Sequence, residues 1–132
     1  MNQDDQRLLR DTLERALESD DRFPARFYEI LFERHPSFQA LFHRNSRGAQ
    51  VRNFGKKLVA IVDHIDDPAW AQRELVPLAQ NHVTYGVTAA MYAPVGEALI
   101  ETLREACGES FDSECERVWL EAYASITRAM LD

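Results

Sequence analysis

Hydrophobic side chains recur at spacings of three and four residues along nearly the whole chain, which is the period of an amphipathic α-helix. Separate apolar stripes begin near Leu9, Phe23, Val51, Tyr92 and Cys115. No sustained alternation of polar and apolar positions with β-branched residues indicates a strand. The pattern therefore predicts an all-α protein of about seven helices.

Proline, glycine and capping residues predict where several of these helices end. The second helix is expected to stop at His35, because the residue before a proline disfavours helical torsion angles, and the short helical turn PSFQALF follows. The stretch HRNSRGAQ, residues 43–50, is typical of an irregular loop. Ser113 and Glu116 have capping-box spacing, so the last helix is expected to begin near Ser113.

The middle of the chain predicts two helical pieces. Residues 68–74 are expected to form a loose turn, followed by a segment that starts PLAQNH and ends at Gly86. The next helix is expected to stop at Gly108. No repeat, linker or low-complexity tract divides the chain, so residues 1–132 are expected to form a single domain.

Composition excludes several classes of partner. The net charge is −7, which would repel phosphate backbones and anionic lipid surfaces, so neither nucleic acid nor a membrane is an expected partner. No apolar run approaches the ~18 residues of a membrane span, and the charged N-terminus lacks the apolar core of a signal peptide. These features favour a cytoplasmic protein, in which Cys107 and Cys115 would be free, core-facing thiols.

His82 stands out because it lies on the apolar face formed by Leu75, Leu78, Ala79 and Val83. A buried imidazole needs a partner for each nitrogen, and from the pattern alone a core histidine is favoured over a metal ligand. No second His, Cys or carboxylate stands at helical spacing, which argues against a zinc or iron site made of protein ligands alone. Haem supplies four ligands of its own and removes that objection.

Tyr28 and Gln50 could form the opposite face of a haem crevice. Each also has a simpler interpretation, Tyr28 as a core aromatic with its hydroxyl at the surface and Gln50 as a solvated residue at a helix start. Taken one at a time, the simpler interpretations are favoured. Motifs of nucleotide-binding loops, zinc proteases and serine hydrolases do not occur in the sequence.

Four segments in order resemble the globin family, in particular bacterial single-domain haemoglobins and the globin domain of flavohaemoglobins. They are FYEILFERHPSFQALF, QVRNFGKKLVAIV, NHVTYGVTAAMYAPVGEAL and VWLEAYASI, and they are distributed between residues 27 and 126. The resemblance implies a three-over-three helical sandwich around haem b (iron protoporphyrin IX).

On the proximal side, the resemblance implies that His82 is the iron ligand and that the carbonyl of Leu78 orients its ring. Tyr92 matches the proximal tyrosine of flavohaemoglobins, whereas the glutamate of their proximal network would fall after Asp132. Without that glutamate, efficient redox catalysis is not expected. Val87 and Val95 are implied haem contacts.

On the distal side, Tyr28 and Gln50 match the pair of residues that donate hydrogen bonds to bound O2. Phe42 matches the phenylalanine that packs on the porphyrin. Phe54 stands where the family more often has an aliphatic residue, so a tighter pocket is expected.

The resemblance favours a monomeric or homodimeric protein that binds O2 reversibly for storage, delivery or scavenging, with CO and NO as further ligands. An alternative is a nitric oxide dioxygenase, which would need an external reductase. A haem-based gas or redox sensor is a third hypothesis. Fold alone does not choose between them.

Overall fold

A computed structural model describes residues 2–19, 22–42, 47–84 and 86–131. This part of the chain contains no strand, which confirms the all-α prediction, and none of its helices is long and apolar enough to cross a membrane. The α-helices are α1 (Gln3–Ser19), α2 (Phe23–Arg34), α3 (Arg47–Asp63), α4 (Pro68–Thr84), α5 (Tyr92–Cys107) and α6 (Ser113–Leu131). Short 3₁₀ segments cover Pro36–Phe42, Ala89–Met91 and Gly108–Ser110.

Side chains just before three helices accept the otherwise unpaired N–H groups of the first turn. The Oδ1 atoms of Asn2, Asp67 and Asp112 accept from the backbone nitrogens of Asp5, Trp70 and Cys115 at 2.8, 3.1 and 3.0 Å. The expected capping box at Ser113 is therefore wrong in detail. Asp112 caps α6 because its carboxylate, one residue earlier, already reaches the third N–H group.

Two further boundaries differ from the sequence-based expectation. Helix α3 begins at Arg47, so only the first part of the expected loop at 43–50 precedes the helix. Residues 68–84 form one helix rather than a loose turn and a second piece, with Pro77 inside it. Pro77 is exposed, so the carbonyl that loses its N–H partner can be hydrated instead of being stranded in the core. The described residues consequently form six α-helices rather than seven.

The core lies between the first two and the last two helices. α5 packs on α1 and α2, and α6 packs on α1, α4 and α5. Fully or almost fully buried side chains fill this space, among them Leu9, Phe23, Leu103, Val118 and Trp119. Helix α3 packs on α1 and α2, whereas α4 packs on α6, so the helices on either side of the expected crevice are anchored to different partners.

Candidate functional site

His82 lies in the last turns of α4, on the side of the helix that turns towards the protein. About two turns earlier on this face, Leu75 is buried, and His82 itself is half-buried. Its Nδ1 lies 2.7 Å from the carbonyl oxygen of Leu78. A carbonyl can only accept, so Nδ1 carries a proton, and in the neutral imidazole Nε2 then keeps its lone pair. The expected contact with Leu78 is present.

The second ring nitrogen of His82 has no hydrogen-bond partner among the residues that the structure describes. Since Nδ1 is held by a backbone carbonyl, the ring is oriented and its tautomer is fixed, as in metal-bound imidazoles generally. No group of three His, Cys, Asp or Glu side chains in the described ranges could hold a metal ion. A metal at His82 would therefore need a cofactor that brings the remaining ligands.

Tyr92 begins α5 beside His82, and the two ring centroids are 6.5 Å apart with an interplanar angle of 44°. Partial burial raises the pKa of Tyr92 above its ordinary value, so its hydroxyl stays protonated at neutral pH. The structure thus brings together three of the residues that the sequence pointed to: His82, Leu78 and Tyr92.

The position of Tyr92 depends on two residues that the sequence analysis missed, Gly96 and Tyr123. The Tyr123 hydroxyl donates a hydrogen bond to the carbonyl oxygen of Tyr92 at 2.5 Å. Its ring covers Gly96, where an added Cβ would lie 2.6 Å from Cε2 of Tyr123. The only sequence signal was a glycine one turn after Tyr92 inside an otherwise regular helix, which indicates a close approach.

A cluster of aromatic rings joins α2 to α3 on the other side of the expected crevice. The rings of Phe27 and Phe54 stack with centroids 4.3 Å apart, and Tyr28 meets Phe54 edge-on at 5.6 Å. Tyr28 also lies against Phe27 and Phe32, with centroids 5.1 and 5.8 Å away. Tyr28 and Phe54, both expected site residues, are thus in direct contact.

Close packing at Gly55 lets α3 come near enough to α2 for this ring contact. A Cβ at Gly55 would lie 3.2 Å from Cγ of Pro24, which is tighter than ordinary van der Waals contact. Because α2 and α3 approach so closely at this point, Phe54 on the preceding position is held against Phe27.

Burial among these rings raises the pKa of Tyr28 to about 12. The phenol is therefore un-ionised throughout the physiological pH range and remains able to donate a hydrogen bond. A protonated, half-buried hydroxyl within an aromatic wall suits a polar ligand that needs one donor.

Other expected site residues divide into two groups. Leu78, Val87 and Val95 are half-buried, and Val95 packs against the edge of the core. The side chains of Phe42 and Gln50 lie outside the described residues, so their assignments stay predictions based on sequence.

The described geometry therefore has an oriented imidazole with a free nitrogen on α4 and a protonated tyrosine in an aromatic cluster between α2 and α3. The globin family model matches residues 25–130, which include both features. The chain belongs to the globin family.

Similar proteins include flavohemoproteins of two bacteria. The chain is 30% identical to that of Chromobacterium violaceum over 107 residues, which is 80% of this chain and 26% of the relative. Identity to the flavohemoprotein of Bordetella pertussis is also 30% over 107 residues, covering 80% of this chain and 27% of the relative. This globin chain thus spans about a quarter of the length of the curated relatives it matches.

Two solved structures share the fold. An engineered carbene transferase, made from a Rhodothermus marinus protein assigned as a nitric oxide dioxygenase, superposes with a TM-score of 0.84 at 24% identity. That alignment covers 97% of this chain and 89% of the other. The Malassezia yamatoensis flavohemoglobin, solved with bound FAD and haem, gives a TM-score of 0.70 at 22% identity, covering 98% of this chain and 35% of that one. Both confirm the globin fold.

Proposed function

We propose that this globin binds haem b through Nε2 of His82 and that the bound haem holds O2 reversibly. The observation that carries the proposal is the 2.7 Å contact of His82 Nδ1 with the Leu78 carbonyl, which leaves Nε2 as a lone-pair donor without a described partner. Haem iron, when bound, supplies the centre at which diatomic gases bind. The relatives' names include haem, which supports the same cofactor here.

The side chains that the resemblance assigns to the haem crevice suit a flat apolar cofactor. Leu78, Val87 and Val95 are apolar and half-buried, as expected for the walls of a crevice that is accessible in the absence of a ligand. Phe54 offers a fixed aromatic wall at the α2–α3 crossing. We infer that these residues hold the porphyrin by burying apolar surface, while His82 holds its iron.

The Tyr28 hydroxyl is the donor we assign to ligand stabilisation. Because its pKa is raised to about 12, it remains a donor at any physiological pH. A hydrogen bond to a partly charged acceptor contributes about 1.5–3 kcal/mol, which would slow the release of O2 more than that of the less polar CO. Gln50 remains a second proposed donor on the basis of the sequence resemblance alone.

Nitric oxide dioxygenation is a second candidate, and the proximity of Tyr92 to His82 is the observation that favours it. A tyrosine next to the axial imidazole can modulate how strongly that imidazole donates to a metal. Sustained turnover would require electrons from a reductase, and the flavin-containing relatives are about three times as long as this chain. Multiple turnovers of NO with a partner reductase would support this candidate, and a single stoichiometric reaction would not.

The haem proposal is tested by comparing two histidine variants. His82→Ala removes the proposed iron ligand, and we expect the purified protein to lose the Soret band and its shift with CO. His64→Ala is the matched control, because His64 lies at the end of α3, where Nδ1 contacts the Ala60 carbonyl at 2.9 Å and the ring stacks on Trp70. Wild-type protein that takes up no haem would refute the proposal. Equal haem loss in both variants would remove His82 as the ligand.

A further inference from the structure

The two cysteines lie next to one another at the junction of three helices, although they belong to different helices. Cys107 is the last residue of α5, and Cys115 is the third residue of α6. Both are free thiols. Their neighbour on the third helix is Thr12 of α1, which is completely buried.

Two residues each contact both cysteines. Cys107 Sγ lies 3.6 Å from the carbonyl oxygen of Thr12, and Cys115 Sγ lies 3.8 Å from the Thr12 hydroxyl. Cys115 Sγ also lies 3.6 Å from the carbonyl oxygen of Ser110, whose hydroxyl donates to the Cys107 carbonyl at 2.7 Å. Both sulfurs therefore lie against Thr12, and Ser110 links the backbone of Cys107 to the sulfur of Cys115.

The connection between the two cysteines is held in place at both ends. Gly108 adopts a φ of +60°, a conformation that L side chains rarely adopt, and this lets the chain turn directly after Cys107. Asp112 accepts the backbone N–H of Cys115 at 3.0 Å and fixes the start of α6. The side chain of Phe111 is buried between these points. A short, anchored connection keeps the two thiols together.

The two thiols differ in accessibility. Cys115 is only 2% exposed, whereas Cys107 is half-buried. Burial raises the pKa of Cys107, so most of the thiol is protonated at neutral pH and its reactions are slow. Such a thiol suits a slow response to oxidants better than rapid catalysis.

We propose that Cys107 and Cys115 form a dithiol redox site, which a small-molecule disulfide oxidises to an intramolecular disulfide. The Cys107 thiolate attacks one sulfur of the small disulfide, forming a mixed disulfide and releasing one thiolate. The sulfur of Cys115 then attacks the sulfur of Cys107, closes the bridge and releases the second thiolate. The two protons of the cysteines pass to the released thiolates, so two cysteine thiols are oxidised and one disulfide is reduced to two thiols.

None of the proposed haem-site residues belongs to this site, which lies at the end of α5, the start of α6 and the facing part of α1. The bridge would join the end of α5 to the first turn of α6. The sulfurs must leave the Thr12 and Ser110 carbonyls to reach the ~2.05 Å of a disulfide bond. Since neither contact is shorter than 3.6 Å, little is lost when they separate.

The test uses the full-length protein with oxidised glutathione, followed by alkylation of free thiols and mass spectrometry. Both cysteines fall in one tryptic peptide, residues 105–117. We expect that peptide to become lighter by about 2 Da, for the two hydrogens lost, without alkylation and without a cross-linked dimer. A reductant should reverse the change. Further cleavage of the oxidised peptide after Glu109 and Glu114 should leave its two cysteine-containing fragments joined until the disulfide is reduced.

Two variants separate the steps. In Cys115→Ser the reaction should stop at a glutathione adduct on Cys107, a gain of about 305 Da. Cys107→Ser should remain unmodified, because Cys115 is buried. If Cys115→Ser does not fold, Cys115→Ala serves the same purpose. The mass change of the wild-type peptide tests disulfide formation even without these variants.

Three outcomes would overturn the proposal. In the first, both thiols of the wild-type protein can still be alkylated after treatment with oxidised glutathione. In the second, the wild-type reaction stops at a glutathione adduct and no bridge closes. In the third, disulfides form only between molecules.

Discussion

The rings of Phe27 and Phe54 lie parallel, with centroids 4.3 Å apart and an interplanar angle of 3°. Phe27 is buried in the core, so the stack fixes Phe54 from the inner side, while Tyr28 contacts it edge-on. Phe54 therefore stands as a fixed wall beside the proposed ligand donor. A side chain with two ring contacts is not free to swing aside for an incoming ligand.

Phe54→Leu should open this wall. The substitution removes two ring contacts and leaves a smaller, more mobile side chain, so CO should bind faster, by roughly tenfold, which corresponds to ~1.4 kcal/mol in the barrier. Loss of aromatic packing should also lower the free energy of unfolding by about 1 kcal/mol. Flash photolysis of the CO complex and urea denaturation measure the two effects.

Phe27→Leu is the matched control for Phe54→Leu. It breaks the same stack from the core side but leaves the bulk of Phe54 in place. We expect it to destabilise the protein at least as much and to change CO association less. If both variants accelerated CO binding equally, the rate would depend on general loosening of the α2–α3 contact and not on the bulk of Phe54.

Tyr28→Phe keeps the ring and removes only the hydroxyl. O2 dissociation should become faster by roughly one to two orders of magnitude, because one charge-assisted hydrogen bond is lost, while CO dissociation should change little. Stopped-flow displacement of O2 by CO measures the rate. Tyr123→Phe is the control, since Tyr123 is another half-buried tyrosine, and its hydroxyl donates to a backbone carbonyl instead. An unchanged O2 dissociation rate in Tyr28→Phe would show that Tyr28 has only a structural role.

Stability should fall at alkaline pH because two tyrosines are held un-ionised in the folded state. Burial raises the pKa of Tyr28 and of Tyr123 from about 10 to about 12. Between these values the unfolded chain releases protons that the folded chain retains, so the free energy of unfolding decreases as the pH rises from 10 to 12. The loss should be on the order of 2 kcal/mol per tyrosine.

Urea denaturation at pH 8, 10 and 11 would measure this decline. The double variant Tyr28→Phe, Tyr123→Phe should show a flatter dependence on pH, although it is less stable at pH 8. If the free energy of unfolding of the double variant fell as steeply with pH as that of the wild type, groups other than these two tyrosines would cause the alkaline loss.

Gly96→Ala should disturb the proximal side through Tyr123. The new Cβ would lie 2.6 Å from Cε2 of Tyr123, so the ring must move and its hydrogen bond to the Tyr92 carbonyl must stretch or break. We expect a loss of about 1–3 kcal/mol in the free energy of unfolding, typical of overpacking. Thermal or urea unfolding measures it.

A double-mutant cycle identifies the cause. Tyr123→Leu removes the ring that the new methyl group would strike, so Gly96→Ala should cost much less in that background than in the wild type. Additive effects would show that the clash with Tyr123 is not the source of the loss.

Several helix boundaries could be predicted from the sequence because their causes are local. The second helix ends before Pro36, as expected from the steric effect of proline on the residue before it. Helix α4 ends at Thr84, just before Gly86, which has a φ of +92°. The errors were also local. A loose turn at 68–74 and a separate segment after it were expected, but one helix runs through Pro77, and Asp112 took the capping role assigned to Ser113.

The site residues that lie far apart in the chain were assigned from the resemblance of four segments to the globin family. The contacts between those residues could not be inferred from their spacing in the sequence. The sequence placed His82 on an apolar face one turn after Leu78, and the resemblance implied the contact with the Leu78 carbonyl that the structure shows. Nothing local predicted that Phe54 would stack on Phe27, since that contact depends on how closely Pro24 and Gly55 let two helices approach. Likewise, Tyr123 reaches Tyr92 only because Gly96 leaves room for its ring.

The sequence by itself determined the helical class, the apolar faces and the identity of the residues available for chemistry, because periodicity and side-chain type are properties of short segments. Only the tertiary structure decided which of those residues meet. It set the hydrogen bond from Tyr123 to the Tyr92 carbonyl, the fixed position of Phe54, and the meeting of Cys107 and Cys115 around Thr12. These contacts join residues on different helices, and they depend on interhelical distances that close packing sets and that no local pattern encodes.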